Sequence, residues 1–170
     1  MHNLEFVKPI EDILNQEEKE YDIKNYEKLD EKRLKEYDKI IICGTSLQNN
    51  EYLEKIEKFE FIKKYKGKIL GICAGMQIIV RLFGCKLVKK TDIGMKQVSF
   101  KTNFFGLHGW REVYELHNFA VEHNPLIERK FDIFTQGSVD AIKHKEKDIY
   151  AVLFHPEVRQ KNLIRNFVNI

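Results

Sequence analysis

Residues 71–77 read Gly-Ile-Cys-Ala-Gly-Met-Gln, and residues 154–157 read Phe-His-Pro-Glu. Cys73 stands between two glycines, just after the apolar run Lys68-Ile69-Leu70 and just before the helical run 76–83. That is the setting of a nucleophile elbow, a sharp strand-to-helix turn whose neighbouring residues must be small. Gly71 and Gly75 remove the Cβ atoms that would otherwise collide across the turn. Cys73 would then sit at a helix N-terminus, where the positive end of the dipole favours a thiolate. His155 supplies a base, and Glu157 a carboxylate to orient it. Taken singly, each segment also has a plain structural reading. A cysteine in a tight turn can be a small core residue, and a lone histidine can be a hydrogen-bonded anchor. Their combination, each part at the end of an apolar run, points to cysteine-based nucleophilic catalysis.

Size and composition bound what surrounds this chemistry. A chain of 170 residues fits one domain, taken as 1–170, and can bury a sizeable core. The net charge is +3, and Lys-rich stretches such as 63–66 and 143–145 are broken by apolar or aromatic residues. A solvated face is therefore expected, not a nucleic-acid footprint. Three cysteines, Cys43, Cys73 and Cys85, show no disulfide or zinc spacing, which suits a reducing, cytoplasmic setting. No apolar run approaches a membrane span, so no membrane partner is expected. His2, His108, His123 and His144 lack metal spacing, and no metal or cofactor is expected. Without a Gly-rich phosphate loop, any ATP chemistry belongs to another polypeptide.

The elements that must position these residues are legible as alternating patterns. Phe6, Val7, Ile10, Ile13 and Leu14 recur at helical spacing, with Pro9 tolerable in a first turn. Residues 21–23 read as a short strand, 31–37 as a short polar helix and 51–65 as a helix. Residues 39–43 and 68–72 read as buried parallel strands. From Cys85 on, shorter runs at 86–88, 96–100, 113–116, 131–134, 139–142 and 149–154 read as mostly antiparallel strands. A helix closes the chain over 160–169. The expected fold is α/β, an open and mainly parallel sheet flanked by helices with a small antiparallel extension. Trp110 and the pair Phe104-Phe105 read as core or partner contact.

These motifs resemble those of the class I (triad) glutamine amidotransferases, over nearly the whole chain. The elbow 71–77 is similar to that family's, including Gln77 four residues after the nucleophile, and 149–158 resembles its closing strand and triad motif. Cys43-Gly-Thr-Ser46 falls where the family has its oxyanion loop, and 116–121 resembles its substrate-side loop. Residues 139–144 are most similar to the separate amidotransferase subunit of archaeal-type GMP synthetases, whereas 116–121 are closer to the carbamoyl-phosphate synthetase branch.

The resemblance implies a flavodoxin-like sheet and a Cys73–His155–Glu157 triad that hydrolyses glutamine. It implies backbone N–H groups of Gly44 and Ala74 as the oxyanion hole, and a glutamine shell of Ser46, Gln77, Asn118 and Phe119. Its implied partner is a synthetase subunit of the ATP-pyrophosphatase type that receives the ammonia. His117 reads either as a loop anchor or as a shell residue. There are departures from the pattern. Thr45 and Ser46 follow a single Gly44, Leu116 replaces a polar residue, and the family's opening strand is missing ahead of the first helix. That strand is expected to lie upstream of Met1 or to be replaced by another segment beside 39–43. Two other functions stay open from sequence: a degenerate binding or regulatory module, and a related cysteine γ-glutamyl hydrolase.

Overall fold

The computed structural model describes residues 5–170. Helix α1 (Lys8–Gln16) begins with Pro9 in its first turn, where a missing N–H costs nothing, and buries Ile10 and Ile13. Two 3₁₀ turns follow, Tyr26–Lys28 and Glu31–Glu36, capped by the side chains of Asn25 and Asp30. The strand expected at 21–23 does not form. Ile23 is 47% exposed, and Tyr21 and Asp22 engage Glu11 and Tyr37 through their side chains. With its one aliphatic side chain in solvent, the segment offers no face for a sheet to bury.

Strand β1 (Lys39–Ile42) pairs in parallel with β2 (Lys68–Ile72). The helix expected across 51–65 is broken into α2 (Glu51–Glu54), a 3₁₀ turn at Ile56–Phe59 and α3 (Phe61–Lys64). Phe59 and Phe61 are both buried. A continuous α-helix would turn them about 200° apart, and the break lets both face the core.

After β2 come α4 (Ala74–Leu82), β3 (Leu87–Phe104), β4 (Leu107–Val121), α5 (Pro125–Lys130), β5 (Phe131–Ile133), β6 (Ala141–His144), β7 (Ile149–Val152) and α6 (Asn162–Val168). The main sheet runs β1-β2-β7-β6-β5. Its first three strands are parallel, and β6 and β5 form the antiparallel extension. The runs 86–88, 96–100 and 113–116 differ from expectation: they belong to one long hairpin, β3–β4, that forms a sheet of its own. The polar stretch Lys89-Lys90-Thr91-Asp92 hides the continuity of β3 from a hydrophobicity reading.

The core lies on both faces of the main sheet. Ile69 and Ala151 face α4, while Leu70, Ile72 and Val152 face α1 and α6, where Ile13, Leu163 and Phe167 complete the layer. This alternation along β2 is the period-two signature of a strand buried on both sides. Among the described residues, β1 is an edge strand with no partner beyond it. The position expected beside 39–43 therefore carries no described strand, and residues 1–4 lie outside the described residues. No described helix is long and apolar enough to cross a membrane.

Candidate active site

Cys73 joins β2 to α4 with φ 50° and ψ −101°. A non-glycine residue held there stores roughly 1–3 kcal/mol of backbone strain, which persists only where the surroundings fix it. They do so on two sides. The Cys73 N–H donates to the Val152 carbonyl at 2.8 Å, tying the elbow to β7. The helix behind it packs at backbone distance: a Cβ on Gly75 would lie 2.4 Å from the Ile42 carbonyl oxygen, and one on Gly71 would lie 2.7 Å from the Gly75 carbonyl carbon. Both glycines are thus required by close approach.

β7 ends at Val152, and three residues later the chain delivers His155 against the elbow. His155 is fully buried, and its Nδ1 lies 2.7 Å from Glu157 Oε1. A carboxylate only accepts, so Nδ1 carries the proton. Nε2 has no hydrogen-bond partner among the described residues. The Cys73 thiol donates instead to the Leu116 carbonyl at 3.5 Å. Catalytic hydrogen bonds are commonly loose before substrate binds. Burial opposes the charged imidazole, but Cys73 and Glu157 outweigh it and raise the His155 pKa to about 10. At neutral pH the ring is therefore an imidazolium beside the sulfur. Two aromatic rings wall it, Phe6 at 5.0 Å and Tyr114 at 6.4 Å between centroids.

Gly44 lies against both catalytic candidates. A Cβ there would sit 2.6 Å from His155 Cε1 and 3.4 Å from Cys73 Cβ. This is the position of the loop where a side chain cannot be accommodated, which is why Thr45 and Ser46 can follow a single glycine. Ala74 is the first residue of α4, where an N–H has no intrahelical acceptor.

The expected glutamine shell is gathered too, with differences in detail. Ser46, Gln77 and Asn118 line a narrow cleft beside Cys73 with Leu47, Tyr52 and Leu116. Gln77 is buried and already engaged: its Oε1 accepts from the Tyr52 hydroxyl, and its Nε2 donates to the Phe119 carbonyl at 2.9 Å. Asn118 donates to the Leu47 carbonyl at 2.9 Å and accepts from the Thr91 hydroxyl at 3.0 Å. In this conformation both amides brace the cleft and leave no free group toward a substrate. Phe119 enters through its carbonyl.

The class I glutamine amidotransferase family model matches residues 3–169. The chain belongs to that family. It is 34% identical over 161 residues to the separate glutamine-hydrolyzing GMP synthase subunit of Pyrococcus furiosus, covering 87% of this chain and 83% of that one. It is 36% identical over 111 residues to the glutamine-hydrolyzing GMP synthase of Staphylococcus saprophyticus, covering 59% of this chain but 21% of that longer one. Its fold superimposes on the crystal structure of a putative GMP synthase subunit from Thermoplasma acidophilum. The TM-score is 0.84 at 26% identity, covering 99% of this chain and 89% of the other.

Within this amidotransferase, Phe6, Tyr52 and the Leu116 carbonyl are site residues that motif reading does not reach. Phe6 is an apolar residue before a helix, and only the fold carries it onto His155. The other cysteines are poorly suited to nucleophilic roles: burial pushes the Cys43 thiol up to about 12, with Glu157 adding to it, and burial also raises Cys85.

The folded pKa of His155, about 10, exceeds its ordinary 6.5. The stabilisation this pairing contributes is therefore whole below pH 6.5 and is lost as pH rises through about 10. In an NMR titration of ring-labelled histidine, the His155 signals are expected to titrate far above the ordinary range. The midpoint should fall in Glu157→Gln and in Cys73→Ala. A midpoint at or below the ordinary value would contradict this electrostatic description.

Proposed function

We propose that this chain, a single amidotransferase domain, hydrolyses glutamine through Cys73, His155 and Glu157 and delivers the ammonia to a synthetase subunit. The observation that carries the reading is the buried His155, bonded on one side to Glu157 and turned with an unpartnered Nε2 toward an elbow cysteine. The Cys73 sulfur attacks the side-chain carbonyl carbon of glutamine. The developing oxyanion is held by the N–H groups of Gly44 and Ala74, a contribution typically worth about 3 kcal/mol per donor. As the tetrahedral species collapses, the C–N bond breaks and imidazolium His155 gives its proton to the leaving nitrogen. Ammonia departs, and a glutamyl thioester remains on Cys73. Neutral His155 then takes a proton from water, whose oxygen attacks the thioester, and glutamate leaves with the thiolate restored. Glu157 holds the imidazole in one tautomer throughout. Ser46, the Phe119 carbonyl and the amides of Gln77 and Asn118 form the substrate cleft, with Gln77 and Asn118 acting mainly as braces.

Steady-state glutaminase assays test the triad. Cys73→Ala and His155→Ala are expected to have no measurable turnover. Glu157→Gln is expected to lose roughly 10²–10⁴-fold in kcat, the usual weight of oriented acid–base assistance. Wild-type rates in Glu157→Gln would remove that residue from the mechanism. The tightness of the cleft and the prior engagement of Gln77 and Asn118 also fit a non-catalytic module. Absence of turnover by the wild-type chain under every condition would favour that reading.

The partner follows from the relatives. One is named as a separate subunit of GMP synthase, and another is a longer chain of which the match spans a fifth. We assign the partner to the ATP-pyrophosphatase class, acting on a nucleotide acceptor in the cytoplasm. Adding such a synthetase subunit with ATP and its nucleotide is expected to raise glutamine turnover several-fold and to form a complex in size-exclusion chromatography. Neither complex nor stimulation, with hydrolysis intact, would overturn the partner class alone.

A further inference from the structure

The β3–β4 hairpin carries a second cluster that the triad does not use. Asp92 and His117 face one another across the ladder, and Glu115 lies two residues before His117 on the same side of β4. Side chains alternate along a strand, so this is the opposite face from Tyr114 and Leu116, which border the triad. The donor atoms of Asp92, Glu115 and His117 all lie within 4.8 Å of one another. Glu115 and His117 are buried, at 6% and 3% exposure. The cluster lines a cavity of about 300 Å³ with Ser138 and Asp140, so a further buried carboxylate faces the same space.

His117 is the informative member. Its Nδ1 lies 3.3 Å from the Lys90 carbonyl oxygen, which can only accept, so Nδ1 carries the proton. That leaves the Nε2 lone pair aimed into the cluster, buried and without a hydrogen-bond partner among the described residues. Nε2 lies 3.5 Å from Glu115 Oε2, too long for a good hydrogen bond. It is, however, the spacing of two ligands on one ion, since donors about 2.1 Å from a tetrahedral zinc stand about 3.4 Å apart. A histidine fixed through Nδ1–H to a backbone carbonyl, with Nε2 free, is the usual arrangement of a metal ligand. The nearest cations are Lys90 and Lys96, at 3.0 Å and 2.7 Å from Asp92. Both side chains are substantially exposed, 59% and 45%, and can swing into solvent when Asp92 takes another cation.

From this geometry we infer that His117, Glu115 and Asp92 form a binding site for a borderline divalent cation of the zinc type, with water completing the shell from the cavity. One nitrogen and two carboxylates suit Zn²⁺ or Co²⁺ better than Mg²⁺, which prefers an all-oxygen octahedron.

The test uses the full chain carrying Cys73→Ala, so that the elbow thiol cannot itself take up metal, stripped with chelator and titrated with ZnCl₂ by calorimetry. One equivalent is expected to bind. Glu115→Gln and Asp92→Asn, each checked for native circular dichroism, should weaken binding at least about tenfold, and His117→Gln should abolish it. Co²⁺ should give ligand-field bands without a thiolate charge-transfer band. As an arm independent of the variants, crystals soaked in ZnCl₂ should show an anomalous peak between His117 Nε2 and Glu115 Oε2. No saturable binding, binding unchanged in all three variants, a thiolate charge-transfer band or no peak between these residues would each overturn the site.

Discussion

The close approach of α4 to β1 and β2 is the contact on which the rest of the site depends. Gly71 and Gly75 let the backbone of the helix rest on that of the strands. Only at that distance does the turn between them force Cys73 to positive φ. The strained turn points the sulfur out of the sheet plane and places it at the start of α4. Neighbouring elements then need only present groups to a fixed point: β7 brings His155 and Glu157, the loop after β1 brings Gly44, and β4 brings the Leu116 carbonyl. A parallel sheet suits this, because β1, β2 and β7 all end on the same side.

The electrostatics follow from burial. An isolated buried imidazole would be neutral, and an isolated buried carboxylate would cost several kcal/mol. Together with the cysteine they compensate one another, and the imidazolium is held on a ring already oriented for proton transfer. The same reasoning marks Cys43 as a bystander: it is near Glu157 but lacks an imidazolium partner, so burial keeps its thiol protonated.

How much of this is legible in the sequence depends on whether the chemistry is local. The elbow, strand 68–72, the His-Pro-Glu segment and Gly44 lie within a few residues of their structural cause, and pattern reading finds them. Phe6 over His155, Tyr52 on Gln77 and Asn118 on Leu47 depend on tertiary placement, which periodicity does not encode. The motifs bring Gln77 and Asn118 to the right cleft, yet their amide partners are set by the fold. The length of β3 is hidden because an exposed hairpin needs no apolar alternation. The cluster of Asp92, Glu115 and His117 is invisible for a related reason: cross-strand register joins residues 23 and 25 positions apart, a spacing with no local signature. The helix expected at 51–65 fails where two phenylalanines two positions apart both need burial.

Catalysis in this amidotransferase rests on a covalent bond between the elbow cysteine and the substrate carbonyl. Turnover with isotopically labelled glutamine, quenched in acid within the first cycles and followed by peptide mass mapping, addresses it directly. The expected result is a glutamyl adduct on the peptide carrying Cys73, released by hydroxylamine and absent from peptides carrying Cys43 or Cys85. Glutamine turnover with the adduct on another residue, or with none trapped even in a deacylation-impaired variant, would contradict it.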